Sequence, residues 1–104
     1  MAYFYAVTAT LPDEATATEY LAWLAHGHTR QVVAAGAESA RIVRLDRVAG
    51  ESPQIETQYV FPSRAAFDRY VATAAPALRA EGLARFPPTR SITMVRRAGE
   101  VMQG

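Results

Sequence analysis

Residues Glu19–Gly36, EYLAWLAHGHTRQVVAAG, decide how the chain folds, because one amphipathic run holds its single tryptophan and both of its histidines. Wound as a helix at about 100° per residue, Ala17, Leu21, Leu24, His28, Val32 and Ala35 fall on one stripe about 80° wide. Gly36 follows where a left-handed C-terminal cap would sit. His28 lies mid-stripe among apolar side chains, whereas Trp23 lies nearly opposite, beside Glu19, His26 and Arg30. The imidazole thus points towards a core and the indole towards water. Gly27 between them permits a bend that would turn one half of the run relative to the other.

On the N-terminal side, Ala2–Thr10 alternates as a strand, with Tyr3, Tyr5, Val7 and Ala9 on one face and Phe4, Ala6, Thr8 and Thr10 on the other. Leu11-Pro12-Asp13 ends it, and Asp13 is placed to cap a first helix running to about Ala35. On the C-terminal side, Ser39–Val48 is a second strand with charge on both faces, as befits a sheet edge. Ala49–Pro53 turns the chain into a third strand, Gln54–Phe61, with Ile55, Thr57, Tyr59 and Phe61 opposed to Glu56, Gln58 and Val60. Ser63 caps a second helix carrying Phe67, Val71, Ala74 and Leu78 at helical spacing. Pro76 starts a fresh turn within that helix and Gly82 weakens its end. Thr89–Arg97 is a fourth strand, which makes one domain of residues 1–97 and a tail of 98–104.

The order strand–helix–strand–strand–helix–strand, joined by right-handed crossovers, gives an α+β fold of the ferredoxin-like βαββαβ type. The sheet is antiparallel and four-stranded, its first and third strands are central, and both helices lie on one face. The other face is left bare, and must be wet, paired or covered by a ligand. Phe4, Thr8, Glu56 and Gln58 share that face with Arg41 or Arg44 from the outer strand. Such a mixture suits a barrel interior or a dimer seam, so Phe4 is expected at an interface between two copies.

Composition narrows the class without naming a reaction. Hydrophobic residues make up 50% and charged residues 20% of the 104, an ordinary globular balance. The absence of cysteine excludes disulfides and thiolate metal sites. A net charge of +1 gives no global attraction to nucleic acid or anionic membrane, and neither is expected as a partner. The amino terminus has no basic segment before its apolar run, and no apolar span reaches about 18 residues, so a cytoplasmic protein is expected. All eleven basic residues are arginine, which with the many alanines fits a GC-rich bacterial genome.

His28 is the candidate catalytic residue: an imidazole in apolar company titrates near neutrality and can serve as acid, base or ligand. A core histidine satisfied by one neighbour is the competing reading. Tyr5, Thr57 and Tyr59 are its expected partners, and a tyrosine–histidine pair in a cavity could orient a phenol or enol. Tyr5, Tyr59, Gln58 and Arg41 are the candidate ligand-binding residues, with Tyr59 or Arg41 positioning the substrate. His26 and His28, two residues apart, face different sides of a helix and do not read as a metal pair; no metal and no cofactor is expected. Trp23 is either an interface anchor or a cover for the chain's own tail. The element order is shared with RNA-recognition domains, but IETQYVF lacks their basic–glycine–aromatic motif. No glycine-rich phosphate loop and no Gly-x-Ser-x-Gly elbow occurs.

The segments FYAVTA, YLAWLAHGHTRQVVAAG, ESARIVRLDR and TQYVFPSRAAFDRYVATAAPALRAEGLARF together resemble the bacterial domain-of-unknown-function family 4286, over roughly residues 3 to 97. The marks that carry the resemblance are Trp23, His28, Gly36, Ala40-Arg41, Gln58-Tyr59, the APAL of Ala75–Leu78, and Arg85-Phe86. Gly82-Leu83 and Ala6 depart from the family pattern, which more often has polar residues at Gly82 and Ala6. The family is similar to dimeric α/β-barrel proteins, a group that includes cofactor-free monooxygenases, isomerases and haem-handling proteins. The resemblance therefore implies the fold and a homodimer, and no particular reaction. Two functions follow as expectations: a protein that binds a small, partly apolar or aromatic ligand between sheet and helices, or a cofactor-independent monooxygenase- or isomerase-like enzyme using His28 as acid or base.

Overall fold

The computed structural model describes residues 1–104. Strands β1 (Tyr3–Thr10), β2 (Ser39–Arg44), β3 (Gln54–Phe61) and β4 (Thr93–Glu100) form one antiparallel sheet in the order β2-β3-β1-β4. Helices α1 (Glu14–Trp23), α2 (Thr29–Ala34), α3 (Arg64–Ala72) and α4 (Ala75–Arg85) cover one of its faces. This is the ferredoxin-like arrangement: the first crossover skips one position, β3 turns back from β2 into that gap beside β1, and the second crossover lays β4 on the other edge of β1, which leaves β1 and β3 central. No helix is long and apolar enough to cross a membrane.

The capping residues act as their side chains dictate. Asp13 Oδ1 accepts from the Thr16 amide at 2.8 Å, and Ser63 Oγ from the Ala66 amide at 3.1 Å. Pro76 sits in the first turn of α4, where its missing amide costs nothing. At the other end of the first helical run, Gly36 takes a positive φ of 136°, a backbone region that disfavours side chains.

Three boundaries differ from the sequence reading. β2 stops at Arg44 rather than Val48, since Arg44 and Arg47 turn aside to hold Glu14 at the start of α1. The last strand is Thr93–Glu100 rather than Thr89–Arg97: Pro88–Arg90 form a 3₁₀ turn, and Ser91 takes a left-handed φ of 60° before the chain can extend. The strand consequently runs into the stretch set aside as tail, and the Val101 amide still bonds the Ala2 carbonyl at 2.9 Å.

Period-two alternation sends Tyr3, Tyr5, Ala9, Ile55, Thr57, Tyr59 and Phe61 to the helix-covered face, and all are buried. The core falls into two halves. One gathers Tyr3, Tyr5, Tyr59, Phe61, Tyr70 and Val32; the other gathers Leu11, Tyr20, Leu24, Ile55, Phe86 and Ile92. On the bare face, register aligns Arg41 with Gln58, Val43 with Glu56, Thr8 with Val95 and Ala6 with Arg97. Arg44 pairs with Ile55 and so belongs to the helix side. Glu56 is the hub of the bare face: Thr8 Oγ1 donates to it at 2.8 Å, Gln58 Nε2 at 2.7 Å, and Arg97 approaches to 3.6 Å. Gln58 and Thr8 hold its carboxyl below the usual range by bonding the charged form. Arg41 Nε donates in turn to Gln58 Oε1 at 3.1 Å.

Candidate functional site

The first helical run is not one regular helix. Between α1 and α2, residues Leu24–His28 form a π-turn in which the Thr29 amide reaches back to the Leu24 carbonyl, while Gly27 leaves helical geometry (φ 173°, ψ −39°). Thr29 Oγ1 donates to the same carbonyl at 3.1 Å. One residue more than an α-turn is accommodated, which rotates everything beyond it. In an unbroken α-helix, five steps of about 100° would hold Trp23 and His28 about 140° apart. The π-turn stacks them instead, with ring centroids 4.2 Å apart and planes inclined by 20°.

The expectation that Trp23 faces polar company is thereby corrected. Its indole turns inward, contacts Tyr20 and Phe86, and lies over Gly82 of α4. A Cβ at position 82 would meet Trp23 Cη2 at 3.3 Å. Gly82 is therefore a seat for the indole, more than a weak point in a helix. The helix also presents Ala17, Tyr20, Leu24 and Val32 to the core, so Tyr20, absent from the straight-helix stripe, is buried and His28 moves to the stripe's margin.

Where the two halves of the core meet, a cavity remains. Its walls include Tyr5, Tyr59 and Thr57 from the sheet, Tyr20, Trp23, Leu24 and His28 from the first helical run, and Tyr70, Leu78 and Gly82 from α3 and α4. It offers about 50 Å³ to the centres of water-sized molecules, where one water needs roughly 10–15 Å³. Counting all space between the atoms out to the open mouth, the volume is about 520 Å³. Two polar atoms in these walls are fully buried without a well-formed hydrogen bond: His28 Nδ1 has no partner, and Thr57 Oγ1 has only the Tyr20 hydroxyl near it. Such groups cost roughly 1–3 kcal/mol each unless something satisfies them.

Burial sets the protonation of the walls. It pulls the His28 imidazole down to about 4, so the ring is neutral at pH 7. Burial likewise pushes the Tyr20 and Tyr70 phenols up to about 12, and raises Tyr59 further. The cavity thus presents neutral, polar-tipped aromatic groups, able to donate and accept hydrogen bonds without carrying charge.

The sequence-derived candidates divide between the two sheet faces. Tyr5, Thr57, Tyr59 and His28 line one cavity. Tyr5 and Tyr59 are stacked there at 5.9 Å. Gln58 and Arg41 do not join them: each is offset by one residue from the cavity-facing set and points to the bare face, where they bond each other. The expectation that Arg41 positions a substrate against His28 is corrected for the same reason. Phe4 is on the bare face, half-buried. Sequence reasoning missed Tyr20, Tyr70, Arg79 and Arg96 as wall residues. An i, i+3 pairing of Tyr20 with Trp23 was a signal available for the first of these. His26 is exposed, and no group of three or more His, Cys, Asp or Glu side chains is gathered where an ion could be held.

This geometry defines a class: a ferredoxin-like α+β domain with one bare sheet face and a small aromatic cavity beneath its helices. The chain belongs to the family described as Domain of unknown function (DUF4286), whose pattern it matches over residues 2–96. Among curated proteins no sequence matches it. Solved structures share the fold at low identity. A dimeric ferredoxin-like protein from an uncultured marine organism is 13% identical, with a TM-score of 0.74 over 99% of this chain and 97% of that one. An ethyl tert-butyl ether d (ethd) family protein from Bacillus halodurans is 10% identical, with a TM-score of 0.71 over 98% and 100%. A variant of SnoaB, a cofactor-independent oxygenase from Streptomyces nogalater, is 14% identical, with a TM-score of 0.65 over 99% and 95%.

Proposed function

We propose that the protein is a homodimer of the bacterial cytoplasm that binds a small, partly apolar or aromatic ligand in the cavity between sheet and helices. One observation carries the ligand reading: His28 Nδ1, buried with no partner at all, and Thr57 Oγ1, with only the Tyr20 hydroxyl near it, line the same aromatic cavity. Either group would gain a full hydrogen bond from a bound hydroxyl, and the tyrosine and tryptophan rings would gain apolar contact. Trp23 forms part of the wall, so its fluorescence reports occupancy. Titration with p-cresol is expected to quench it saturably; only linear, unsaturable change with p-cresol, phenol and indole alike would refute the reading.

Support for the dimer comes from the bare face, where Phe4, Val60 and Val43 surround a mutually bonded polar lattice that a second copy could cover. The marine relative of this fold, described as dimeric, supports it further. Light scattering at micromolar concentration tests it, and a strict monomer would overturn it. The arginine-only basic set supports a bacterial origin, and fractionation of the native host tests the compartment.

The second reading makes the cavity catalytic. SnoaB, of the same fold, is a cofactor-independent oxygenase, and His28 Nδ1 is free to take a proton from an acidic phenol or enol. Its low basicity weighs against this, because a base poised near 4 removes protons poorly at neutral pH. Catalysis would require the ligand's own developing charge to raise it.

A further inference from the structure

The proposed cavity opens at two exposed cations. Most of its walls are buried or half-buried, but Arg79 of α4 and Arg96 of β4 are both exposed wall residues, and with the exposed Leu83 they mark the mouth. Arg96 belongs to the helix-covered face, since it pairs with Val7 across β1 and β4. Both guanidinium groups line the one cavity and lie close enough for their charge to act on the Tyr70 phenol, and Arg96 acts on Tyr20 as well.

Neither cation is spoken for. Six of the eleven arginines have a carboxylate oxygen within 4.0 Å, namely Arg44, Arg47, Arg64, Arg85, Arg90 and Arg97. Arg79 and Arg96 have none, and no aspartate or glutamate lines the cavity. A chain that neutralises half of its arginines leaves two unpaired at the entrance of a neutral, tyrosine-walled hole. Guanidinium is suited to planar oxyanions because it donates two parallel hydrogen bonds.

We infer that the ligand is a small carboxylate, its anionic head held between Arg79 and Arg96 at the mouth and its short apolar or single-ring body lying inward against Tyr5, Tyr59 and Tyr70. This deepens, and rests on, the reading of the cavity as a ligand site. The size follows from the hole: a dry cavity of about 150 Å³ takes a benzene, so about 50 Å³ holds only part of one ring and leaves the remainder, with its carboxylate, in the open mouth. Thr57 and His28 lie deeper and would bond a second polar group, such as a ring hydroxyl.

Benzoate and benzamide, alike in shape and different in charge, separate the anion claim from the cavity claim. Calorimetric titration of the wild-type protein in about 50 mM salt is expected to show benzoate binding about tenfold more tightly than benzamide, two charge-assisted contacts each being worth a few-fold when partly exposed. The preference should shrink as salt is raised, because the mouth is open to solvent. In the Arg79→Gln, Arg96→Gln double variant benzoate should fall to the level of benzamide, with benzamide unchanged. Both substitutions are at exposed positions, so circular dichroism should show an intact fold. Equal binding of the two probes in the wild type, or a preference that survives the double variant, overturns the carboxylate assignment. If neither binds but p-cresol does, the anion claim fails and the cavity reading stands; if none of the three binds, both fail.

Discussion

Replacing His28 with leucine should make the protein more stable, and the gain should grow as the solution is acidified. The wild-type ring buries Nδ1 without a partner, which costs roughly 1–3 kcal/mol, and leucine removes that cost while keeping apolar contact with Trp23. Lost stacking offsets part of the gain, leaving about 1 kcal/mol at pH 7.5. The acid term comes from linkage. The folded ring titrates at about 4, whereas the unfolded ring takes up a proton near 6.5. The unfolded state therefore binds more protons between these values. Stability from the neutral buried ring is fully present above about pH 6.5, drains as pH falls towards 4, and changes no further below. Going from pH 7.5 to pH 5 would cost about 2 kcal/mol at 1.36 kcal/mol per unit, and the ring's partial exposure reduces this to about 1. Carboxylates, including Glu19 and Glu81 in the groove outside the ring, titrate in both proteins and cancel in the difference. The assay is thermal unfolding of both proteins at pH 7.5 and pH 5. At roughly 4–8 °C per kcal/mol for a chain of about this size, the variant should melt several degrees higher at pH 7.5 and about twice as many at pH 5. A variant that melts lower, or a difference that does not widen in acid, would show that the ring is satisfied or solvated and that the reasoning is wrong. The same variant should lose p-cresol binding if the cavity is a ligand site.

Three further outcomes follow from the same contacts. Thr57→Val, which trades a poorly bonded Oγ1 for a methyl of equal shape, should stabilise by less than about 1 kcal/mol in urea unfolding without changing the m-value, because the buried Tyr20 hydroxyl loses its polar neighbour. Gly82→Val should destabilise by about 1–3 kcal/mol and shift the tryptophan emission, because its side chain must displace an indole that a Cβ alone would already meet at 3.3 Å. Asp13→Ala should cost about 1 kcal/mol through the loss of the cap on α1, and because the Thr16 hydroxyl and amide hold that carboxyl below its usual range, the cost should vanish once acid protonates the wild-type residue.

The fold was legible because each local signal agreed with the next. Alternation in Tyr3–Thr10 and Gln54–Phe61 named both the central strands and their buried sides, and Asp13, Ser63 and Pro76 marked the helix starts by side-chain chemistry that acts within four residues. The misjudged ends, Val48 and Thr89, lie where distant partners decide: Glu14 recruits Arg44 and Arg47, and Ser91 must turn before β4 can pair. Half of the site was legible too. Tyr5, Thr57 and Tyr59 reach the cavity because strand parity brings them to the helix side, where His28 of the first helical run meets them. Parity within β3 already sets Gln58 on the opposite face, whereas the face of Arg41 depends on which residues of β2 and β3 pair, and neither sequence face of β2 is clean enough to specify that. The inward turn of Trp23 was hidden because a helical wheel assumes a constant step, and the π-turn breaks it.

That turn places a constraint on chain length. Loop Asp46–Ser52 is exposed along its whole length, and beyond Arg47, which holds Glu14, insertions or deletions there change only the path between two strands. A single insertion within Leu24–His28 would be of another kind. It would add about 100° of rotation beyond the turn, so that Trp23 and His28 parted company and Val32 fell out of line with Tyr20 and Leu24. One added residue would then open the cavity wall and loosen both halves of the core together. A single deletion would instead leave an ordinary helix in which indole and imidazole, four positions apart, still share a face. Relatives that keep both rings should therefore vary in length at the strand connection and hold four residues between the pair, or three where the run is a regular α-helix.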